Sequence, residues 1–371
     1  MPELFQEESI LSILLYMKTL SKILHLLLLT IISTHTTSTA AQNIKLGIDS
    51  VAPLTIHVGK GSLTLFGYGQ STYTLSETAG ETRNAFAISR VMLMADIHVT
   101  KKLSCFLMGD FASGKMHEYY AQYDFCPAFK VRVGQFKQPF TIESPMSPAL
   151  NGNINGHESV LYMAGIASDS CFGVGRVGRD AGIMLTGDLI PYQGRNLLNY
   201  SLGVFNGAGM NVKENNKYKD VIGTLKVFPL KQLMLSTSFI VGKAKAQSNS
   251  PYGKFMAGDN YTRNRWSAGC EVTTRPLHLR SEFLLGNDAG IHSNGFYALA
   301  EGHLAKWLDL VAGYDHLKRN NDIAQSATSN YLAGLQFWIY KKCCIRSQYV
   351  HKAPKQGPAT NMWVTQFQVG F

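Results

Sequence analysis

The chain has 371 residues, of which 45% are hydrophobic and only 16% are charged, a smaller charged share than the roughly one quarter typical of soluble proteins. Its net charge of +10 comes from Lys and Arg residues placed singly along the sequence, without a zinc-finger, recognition-helix or RNP-type pattern, which argues against nucleic-acid binding. The six cysteines show no CxxC spacing, so we predict no metal site and no cofactor and assign no disulfide.

The beginning of the chain has the order of a secretory signal peptide. Lys18 and Lys22 form a basic segment, residues 23–33 form a short apolar core, and residues 38–41 are small enough for signal peptidase. The apolar core is shorter than the roughly 20 residues of a membrane helix, although a signal-anchor helix is the alternative. We therefore expect export of the chain and removal of this segment.

The sequence divides into three predicted parts: a signal peptide over 1–41, a periplasmic lead-in over 42–62 and a β-barrel over 63–371. Met17 is followed by a lysine and fits the start of a signal peptide of normal length, so it is our expected natural start. After the signal peptide, no segment is apolar for long enough to form a membrane helix.

Apolar and polar residues alternate over most of the mature chain, which is the period of half-buried β-strands. In 277–284, for example, Leu277, Leu279 and Phe283 oppose His278, Arg280 and Glu282. The pattern predicts strands over 63–73, 84–99, 103–112, 117–126, 129–140, 180–188, 198–207, 219–229, 232–243, 263–275, 277–286, 295–305, 308–318, 330–340, 344–351 and 361–371.

The lengths of these strands and of their connections favour a membrane barrel over a soluble sandwich. Most strands have about nine to twelve residues, as a tilted strand that crosses a bilayer requires, whereas soluble strands average about five to six. Short turns such as 127–128 alternate with longer loops such as 74–83, 141–179 and 287–294, and 189–197 is the long exception among the turns. We therefore predict an all-β fold, a transmembrane antiparallel β-barrel of about sixteen strands.

The last strand ends on its apolar face with Phe367, Val369 and Phe371. A terminal aromatic residue on an alternating last strand is similar to the recognition signal of outer-membrane proteins. We therefore interpret these three residues as a membrane-assembly signal, which implies the barrel-assembly machinery and outer-membrane lipid as partners.

Three segments resemble the phosphate-selective porin O/P family. The first is 119–140, which ends in Gly-Gln-Phe-Lys-Gln-Pro-Phe and is soon followed by Glu143. The second is Gly-Arg-Asp-Ala-Gly-Ile over 178–183, and the third is the strand 200–209, which contains Phe-Asn-Gly. The resemblance covers about 60–371 and implies a sixteen-stranded, homotrimeric pore in the outer membrane of a Gram-negative cell. Phosphate selectivity belongs to some members of that family.

The longest predicted connection, 141–179, is the third external loop. In sixteen-stranded porins the third loop commonly folds into the lumen and sets its width, and the resemblance implies the same arrangement here. The alternative is a loop that caps the barrel from outside. A barrel of this size is wide enough to leave an aqueous channel.

Basic residues on inward faces are candidates for contacts with passing anions. Arg132, for example, lies between two valines and should face inward, because a charge at the lipid midplane costs about 2–4 kcal/mol. The predicted anion-binding residues are Arg132, Lys137, Arg176 and Arg179, with Arg90, Arg280 and Arg346 contributed by the barrel wall. The alternative for each is an ion pair with a lumen carboxylate, such as Glu282 or Asp96.

Together these features predict a porin that lets small hydrophilic solutes diffuse passively, with a preference for anions such as phosphate. The first alternative is a barrel enzyme of the protease or lipase type. Its usual GxSxG and HExxH motifs are absent from the sequence, so we expect no enzyme. The second alternative is an adhesion barrel without a conducting pore.

Overall fold

The structure is a computed structural model, and it describes residues 53–173 and 177–371. Within these ranges the chain forms one antiparallel sheet that closes on itself. The predicted signal peptide, most of the predicted lead-in and Arg176 lie outside the described residues.

Sixteen long strands form the wall of the barrel, and two short strands are added to it. The wall strands are β2 (Gly61–Thr78), β3 (Glu81–His98), β4 (Leu103–Asp110), β5 (Lys115–Cys126), β6 (Phe129–Lys137), β7 (Arg179–Tyr192), β8 (Arg195–Phe205), β9 (Asp220–Leu230), β10 (Leu233–Val241), β12 (Asn260–Thr273), β13 (Leu277–Asp288), β14 (Ile291–Ala305), β15 (Leu308–Lys318), β16 (Ala327–Tyr340), β17 (Cys343–Pro354) and β18 (Thr360–Gly370). The short strands are β1 (Leu54–Val58) and β11 (Lys243–Lys245). The predicted fold class is confirmed.

The last wall strand pairs with the first. β18 runs antiparallel to β2, from Thr360 opposite Thr78 to Gly370 opposite Tyr68. The first residues of β2 extend beyond the end of β18, and there β1 pairs with β2 instead, Leu54 lying opposite Leu65. The barrel therefore begins at the end of the predicted lead-in, which contributes β1 to the sheet.

The two faces of the wall differ as the sequence pattern predicts. On β13, Leu279 and Phe283 point outward and are 38% and 42% exposed, whereas Arg280 and Glu282 point inward and are 2% and 1% exposed. Exposed apolar side chains on the outside and enclosed polar ones on the inside are the arrangement of a barrel that crosses a bilayer.

Three of the predicted loops are wrong because the strands continue through them: 74–83, 189–197 and 287–294. Each is a two-residue turn in which both residues have positive φ, the conformation that matches the twist of a β-hairpin: Ala79-Gly80, Gln193-Gly194 and Ala289-Gly290. Polar residues and glycine occupy consecutive positions at or beside these turns, so the alternating pattern disappears from the sequence although the backbone pairing persists.

The three segments that carry the family resemblance meet at one place on the wall. Lys137 pairs with Arg179, and Gly182 pairs with Phe205, so β6, β7 and β8 are adjacent there. Gly134 has φ +139, and a Cβ atom on it would lie 2.2 Å from the carbonyl oxygen of Tyr119. Glycine is therefore required at this close approach of two strands.

Residues 138–173 and 177–178, the described part of the connection between β6 and β7, lie inside the barrel, and we call this part the inner loop. It contains the short helix α1 (Glu158–Met163), whose Val160 and Met163 are fully buried among side chains of the wall, including Leu284. Among the described residues, no helix is long and apolar enough to span a membrane.

Candidate pore constriction

Asp315 on β15 holds the start of α1. Its carboxylate accepts hydrogen bonds from the backbone N–H of Glu158 at 2.7 Å and from the backbone N–H of Ser159 at 3.2 Å. The hydroxyl of Ser159 donates to the same carboxylate at 2.5 Å. These bonds satisfy N–H groups that the first turn of a helix leaves without a partner.

Two further wall residues hold the beginning of the inner loop. Glu282 accepts hydrogen bonds from the backbone N–H groups of Ile142 at 2.7 Å and Glu143 at 3.3 Å. Ser238 on β10 accepts one from the backbone N–H of Thr141 at 3.0 Å. The inner loop leaves the wall at β6, so these contacts carry it across the lumen to other strands.

Residues of β17 hold the middle of the inner loop. Arg346 donates to the backbone carbonyls of Ala149 at 2.6 Å and Asn151 at 2.9 Å. The side-chain oxygen of Gln348 accepts from the backbone N–H of Ile154 at 3.0 Å. Contacts on several wall strands fix the inner loop within the lumen, which is the place that the sequence analysis expects for it.

Glu143 is the buried acid at the centre of these contacts. It accepts a hydrogen bond from the backbone N–H of His157 at 3.0 Å, contacts the ring of the same residue, and lies 3.5 Å from the guanidinium of Arg280. His157 in turn stacks on Tyr297, with ring centroids 4.0 Å apart. Burial by itself raises the pKa of Glu143, but the contacts with His157 and Arg280 outweigh it and lower the pKa to about 2.

The lowered pKa of Glu143 predicts how the inner loop responds to acid. The folded-state pKa of about 2 lies below the ordinary 4.5, so ionised Glu143 stabilises the fold fully above pH 4.5. This contribution declines as the pH falls below 4.5 and is lost below about 2. We expect quiet single-channel currents at pH 5 and growing current noise as the pH approaches 2. The variant Glu143→Gln should show a noisy current at both pH values. Equal noise in the wild-type protein at pH 5 and pH 2 would contradict a stabilising role for ionised Glu143.

Beside the inner loop a cavity of about 440 Å³ remains open along the wall. Five cationic side chains of the wall line it: Arg90, Arg132, Lys137, Arg179 and Lys226. The acidic side chains in its described lining are Glu118, on the wall, and Glu143, on the inner loop. The lining therefore carries a clear excess of positive charge.

Arg90 and Arg132 are each bound to a neutral amide and not to a carboxylate. Arg90 donates to the side-chain oxygen of Gln70 at 2.9 Å, and Arg132 donates through Nε and Nη2 to that of Gln122 at 3.0 and 2.8 Å. The guanidinium of Arg132 also lies over the ring of Tyr120, 4.0 Å from its centroid. Both side chains are held in place without neutralisation.

The other three cations have different surroundings. Arg179 forms an ion pair with Glu118 at 2.8 Å, and Lys137 donates to a backbone carbonyl of the inner loop. Lys226 lies on β9 opposite Asn199 of β8 and Ser236 of β10, which are both neutral. Glu271 and Glu282 on nearby strands attract Lys226, although it forms no close ion pair among the described residues, so it adds a partly balanced positive charge to the cavity.

A second space, of about 680 Å³, continues from the cavity toward the short turns. The two spaces share Asn199 and Lys226 in their linings, and the second adds Arg195 and Lys231 against one acidic residue, Asp188. The excess of positive charge thus continues from the narrow part of the lumen toward one end of the barrel.

No family model matches the chain, and no curated protein matches it. Solved structures do match. OmpT of Vibrio cholerae is 12% identical with a TM-score of 0.62, over 85% of this chain and 100% of that one. The anion-selective porin from Comamonas acidovorans is 14% identical with a TM-score of 0.61, over 84% and 100%. The outer-membrane channel DcaP of Acinetobacter baumannii is 12% identical with a TM-score of 0.60, over 86% and 100%. The chain has the fold of an outer-membrane porin.

Within this porin fold, the predicted anion-binding residues separate into two groups. Arg90, Arg132, Lys137 and Arg179 meet at the cavity, and their role there stays a prediction. The barrel-wall residues Arg280 and Arg346 are 2% and 1% exposed because they bind the inner loop, so this geometry leaves them no free surface for a solute. Arg176 lies outside the described residues.

The predicted assembly signal lies on the outward face of the porin fold. Phe367, Val369 and Phe371 are 47%, 45% and 51% exposed, and Phe371 exchanges two backbone hydrogen bonds with Gly67 of β2. Their position agrees with the predicted alternation. Their role as a signal stays a prediction.

The sequence analysis missed several basic residues of the lumen, and Lys226 and Arg195 show two different reasons. Lys226 lies between Leu225 and Val227, the same apolar–basic–apolar pattern that identifies Arg132, so this rule applied to every strand would have found it. Arg195 lies in the connection that was predicted as a loop. Its place in the lumen depends on the hairpin that the pattern did not show.

Proposed function

We propose that the chain is an outer-membrane porin through which small hydrophilic solutes diffuse passively, with a preference for anions. The observation that carries this proposal is the row of wall cations that lines the cavity beside the inner loop, which is bound to the wall. Cations at a constriction lower the energy of a passing anion, and single weak contacts still allow the anion to leave.

The proposed location is the outer membrane of a Gram-negative cell. The porin fold, the belt of outward apolar side chains and the predicted signal peptide all support export and insertion. The terminal aromatic strand supports assembly by the barrel-assembly machinery.

Selectivity for phosphate is the finer proposal. The planar guanidinium of an arginine can donate two hydrogen bonds to one phosphate, and Arg90 and Arg132 line the same cavity. Arg179 also lines it, but its guanidinium is bound to Glu118 and to the carbonyl of Val177. The resemblance of three segments to the phosphate-selective porin O/P family supports it. Because Arg132 already uses Nε and Nη2 on Gln122, only part of its guanidinium is available to a solute.

Single-channel recording of the purified, folded protein in a planar bilayer tests the proposal. In a KCl gradient the protein should show stepwise conductance and a reversal potential of the sign set by chloride. If the pore is phosphate-selective, phosphate added at submillimolar concentration should reduce the chloride current. Conductance without ion preference would reject the anion preference. A folded, heat-modifiable barrel without conductance would reject the porin and favour an adhesion or enzyme barrel.

We also propose a homotrimer, and the unpaired edge of residues 81–90 in β3 supports it. β3 pairs with β4 only from Met92 onward, so among the described residues 81–90 pair on one side only, with β2. On this edge Phe86 is 86% exposed and Ile88 is 68% exposed. A bare apolar edge invites pairing with another chain, and one similar structure, OmpT of Vibrio cholerae, is described as a trimer form.

The double variant Phe86→Asp/Ile88→Asp should therefore lower the oligomeric state. Two charges on this edge oppose its burial against a neighbouring protomer, while the hairpin still pairs with β2. Size-exclusion chromatography with light scattering in detergent should show a trimer for the wild-type protein and a monomer for the variant. Leu150→Asp, at a 71%-exposed residue of the inner loop, is the control. If the variant remained trimeric, this edge of β3 would not be part of the subunit interface.

A further inference from the structure

One wall of the cavity is apolar, which is unusual for the lumen of a diffusion pore. Five inward side chains on four neighbouring strands form it: Tyr68 on β2, Met92 on β3, Phe106 and Met108 on β4, and Tyr120 on β5. The interior of a water-filled barrel is normally polar, so these side chains require an explanation beyond the conduction of hydrated ions. We call them the apolar wall.

Part of the apolar wall is open to the lumen. Phe106, Met108 and Tyr120 are only half-buried, although they line a cavity within the barrel. The rings of Phe106 and Tyr120 stack with centroids 5.3 Å apart, so the two side chains form one apolar patch. The inner loop covers mainly the other end, where Ala149 packs against the cluster that contains Tyr68 and Met92.

Cations that are bound to neutral amides lie at both ends of the apolar wall. Toward the long loops, Arg90 lies two residues before Met92 on β3, so both face the lumen. Toward the short turns, Arg132 lies over the ring of Tyr120, at 4.0 Å from its centroid. A solute whose hydrocarbon part rests on the apolar wall therefore has a guanidinium within reach of its anionic group at either end.

This arrangement suits a solute that is both anionic and apolar. An inorganic anion is hydrated on all sides and gains nothing from Phe106 or Met108, whereas a carboxylate with an aromatic body can remove those side chains from water. We propose that the constriction prefers organic anions with an aromatic or apolar body, such as aromatic carboxylates, over inorganic anions. The proposal rests on the proposed porin function, and it names the solute class.

Block of the chloride current by three monoanions tests this preference. The probes are benzoate, acetate, which has the same charged group without the ring, and gluconate, which is at least as large as benzoate but polar. Benzoate should halve the single-channel chloride current at a concentration about tenfold lower than acetate or gluconate does, because burial of a ring contributes enough for that factor.

Two variants locate the effect on the apolar wall. Phe106→Ser/Met108→Ser should raise the half-blocking concentration of benzoate to that of acetate, while the reversal potential in KCl stays unchanged. The control is Phe111→Ser, which removes a 62%-exposed phenyl ring just beyond the end of β4. Benzoate should block this variant at the same concentration as the wild-type protein. Heat-modifiable migration in gel electrophoresis confirms that each barrel is folded.

The outcomes separate this proposal from the porin function. An anion-selective channel in which benzoate blocks no better than gluconate would overturn the solute class and leave the porin function standing. Benzoate block that persists in a folded Phe106→Ser/Met108→Ser channel would also overturn it. Absence of conductance would overturn the porin function, and this inference with it. Preferential block by benzoate that is lost only in the double variant supports it.

Discussion

The double charge reversal Arg132→Glu/Lys226→Glu should turn the anion-preferring channel into a cation-preferring one. Both side chains line the narrow cavity, and Lys226 also lines the wider space toward the short turns. Each reversal changes the charge of the wall by two units at a point that permeating ions must pass.

The expected change in ion selectivity follows from the short distance between a permeating ion and the charges of the cavity wall. A unit charge about 4 Å from an ion contributes about 1 kcal/mol in bulk water and more beside a protein wall. Two reversals should therefore lower the permeability ratio of chloride to potassium by about tenfold or more, from above one to below one. In dilute salt the screening length of about 10 Å makes the change larger than in concentrated salt.

The reversal potential in a KCl gradient measures this ratio directly. The control Lys213→Glu/Lys254→Glu also reverses two positive charges, but at exposed positions in the connections 206–219 and 242–259, away from the cavity lining. It should shift the potential little. If control and test variants shifted it equally, the net charge of the protein, not the cavity, would determine selectivity.

The barrel itself could be predicted from the sequence because a membrane barrel imposes a strict rule on every strand. Each wall residue faces either lipid or lumen, so apolar and polar residues alternate, as Leu277, His278, Leu279 and Arg280 do on β13. The rule fails where polar residues occupy both faces at the end of a hairpin. Residues 287, 288 and 292–294 around Ala289-Gly290 are all polar, so this turn was predicted as a loop, although its strands continue to it.

The arrangement inside the lumen could be predicted only in part. Inward basic residues such as Arg90 and Arg132 follow from alternation, and a long third loop suggests what fills the lumen. Which inward residues bind that loop does not follow, because Arg346 and its partner Asn151 are separated by 195 residues and share no local pattern. Alternation therefore places Arg346 in the lumen but cannot distinguish a loop anchor from a solute contact.

The apolar wall is a second feature of the lumen that could not be predicted from the sequence. Phe106 and Met108 satisfy the period of β4, but this short strand has neighbouring residues that are also apolar, so its inward face is not evident from the sequence. Only the pairing of Phe106 with Tyr120 shows which face they share. A lumen surface built from several strands is a property of register between strands and not of one strand's composition.

Asp315→Ala should widen the channel, because it removes the acceptor that holds the start of the inner-loop helix. Its carboxylate receives the backbone N–H groups of Glu158 and Ser159 and the hydroxyl of Ser159. Hydrogen bonds to a charged group contribute about 1.5–3 kcal/mol each, so about 3 kcal/mol or more of loop attachment is lost. The helix cannot remain in place without leaving two buried N–H groups unsatisfied, and so it should move away from the wall.

The measurable consequence is a higher and noisier single-channel conductance with little change in the free energy of unfolding of the wall. Asp309→Ala is the matched control, because Asp309 lies on the same strand, is equally enclosed, and binds His303 and Trp338 near the short turns. It should leave the conductance unchanged. A quiet, unchanged conductance in folded Asp315→Ala would mean that the contacts of Glu158 with Arg319 and Lys352 suffice to hold the helix. The inner loop would then be attached to the wall mainly through its side chains, and the width of the pore would depend on Arg319 and Lys352.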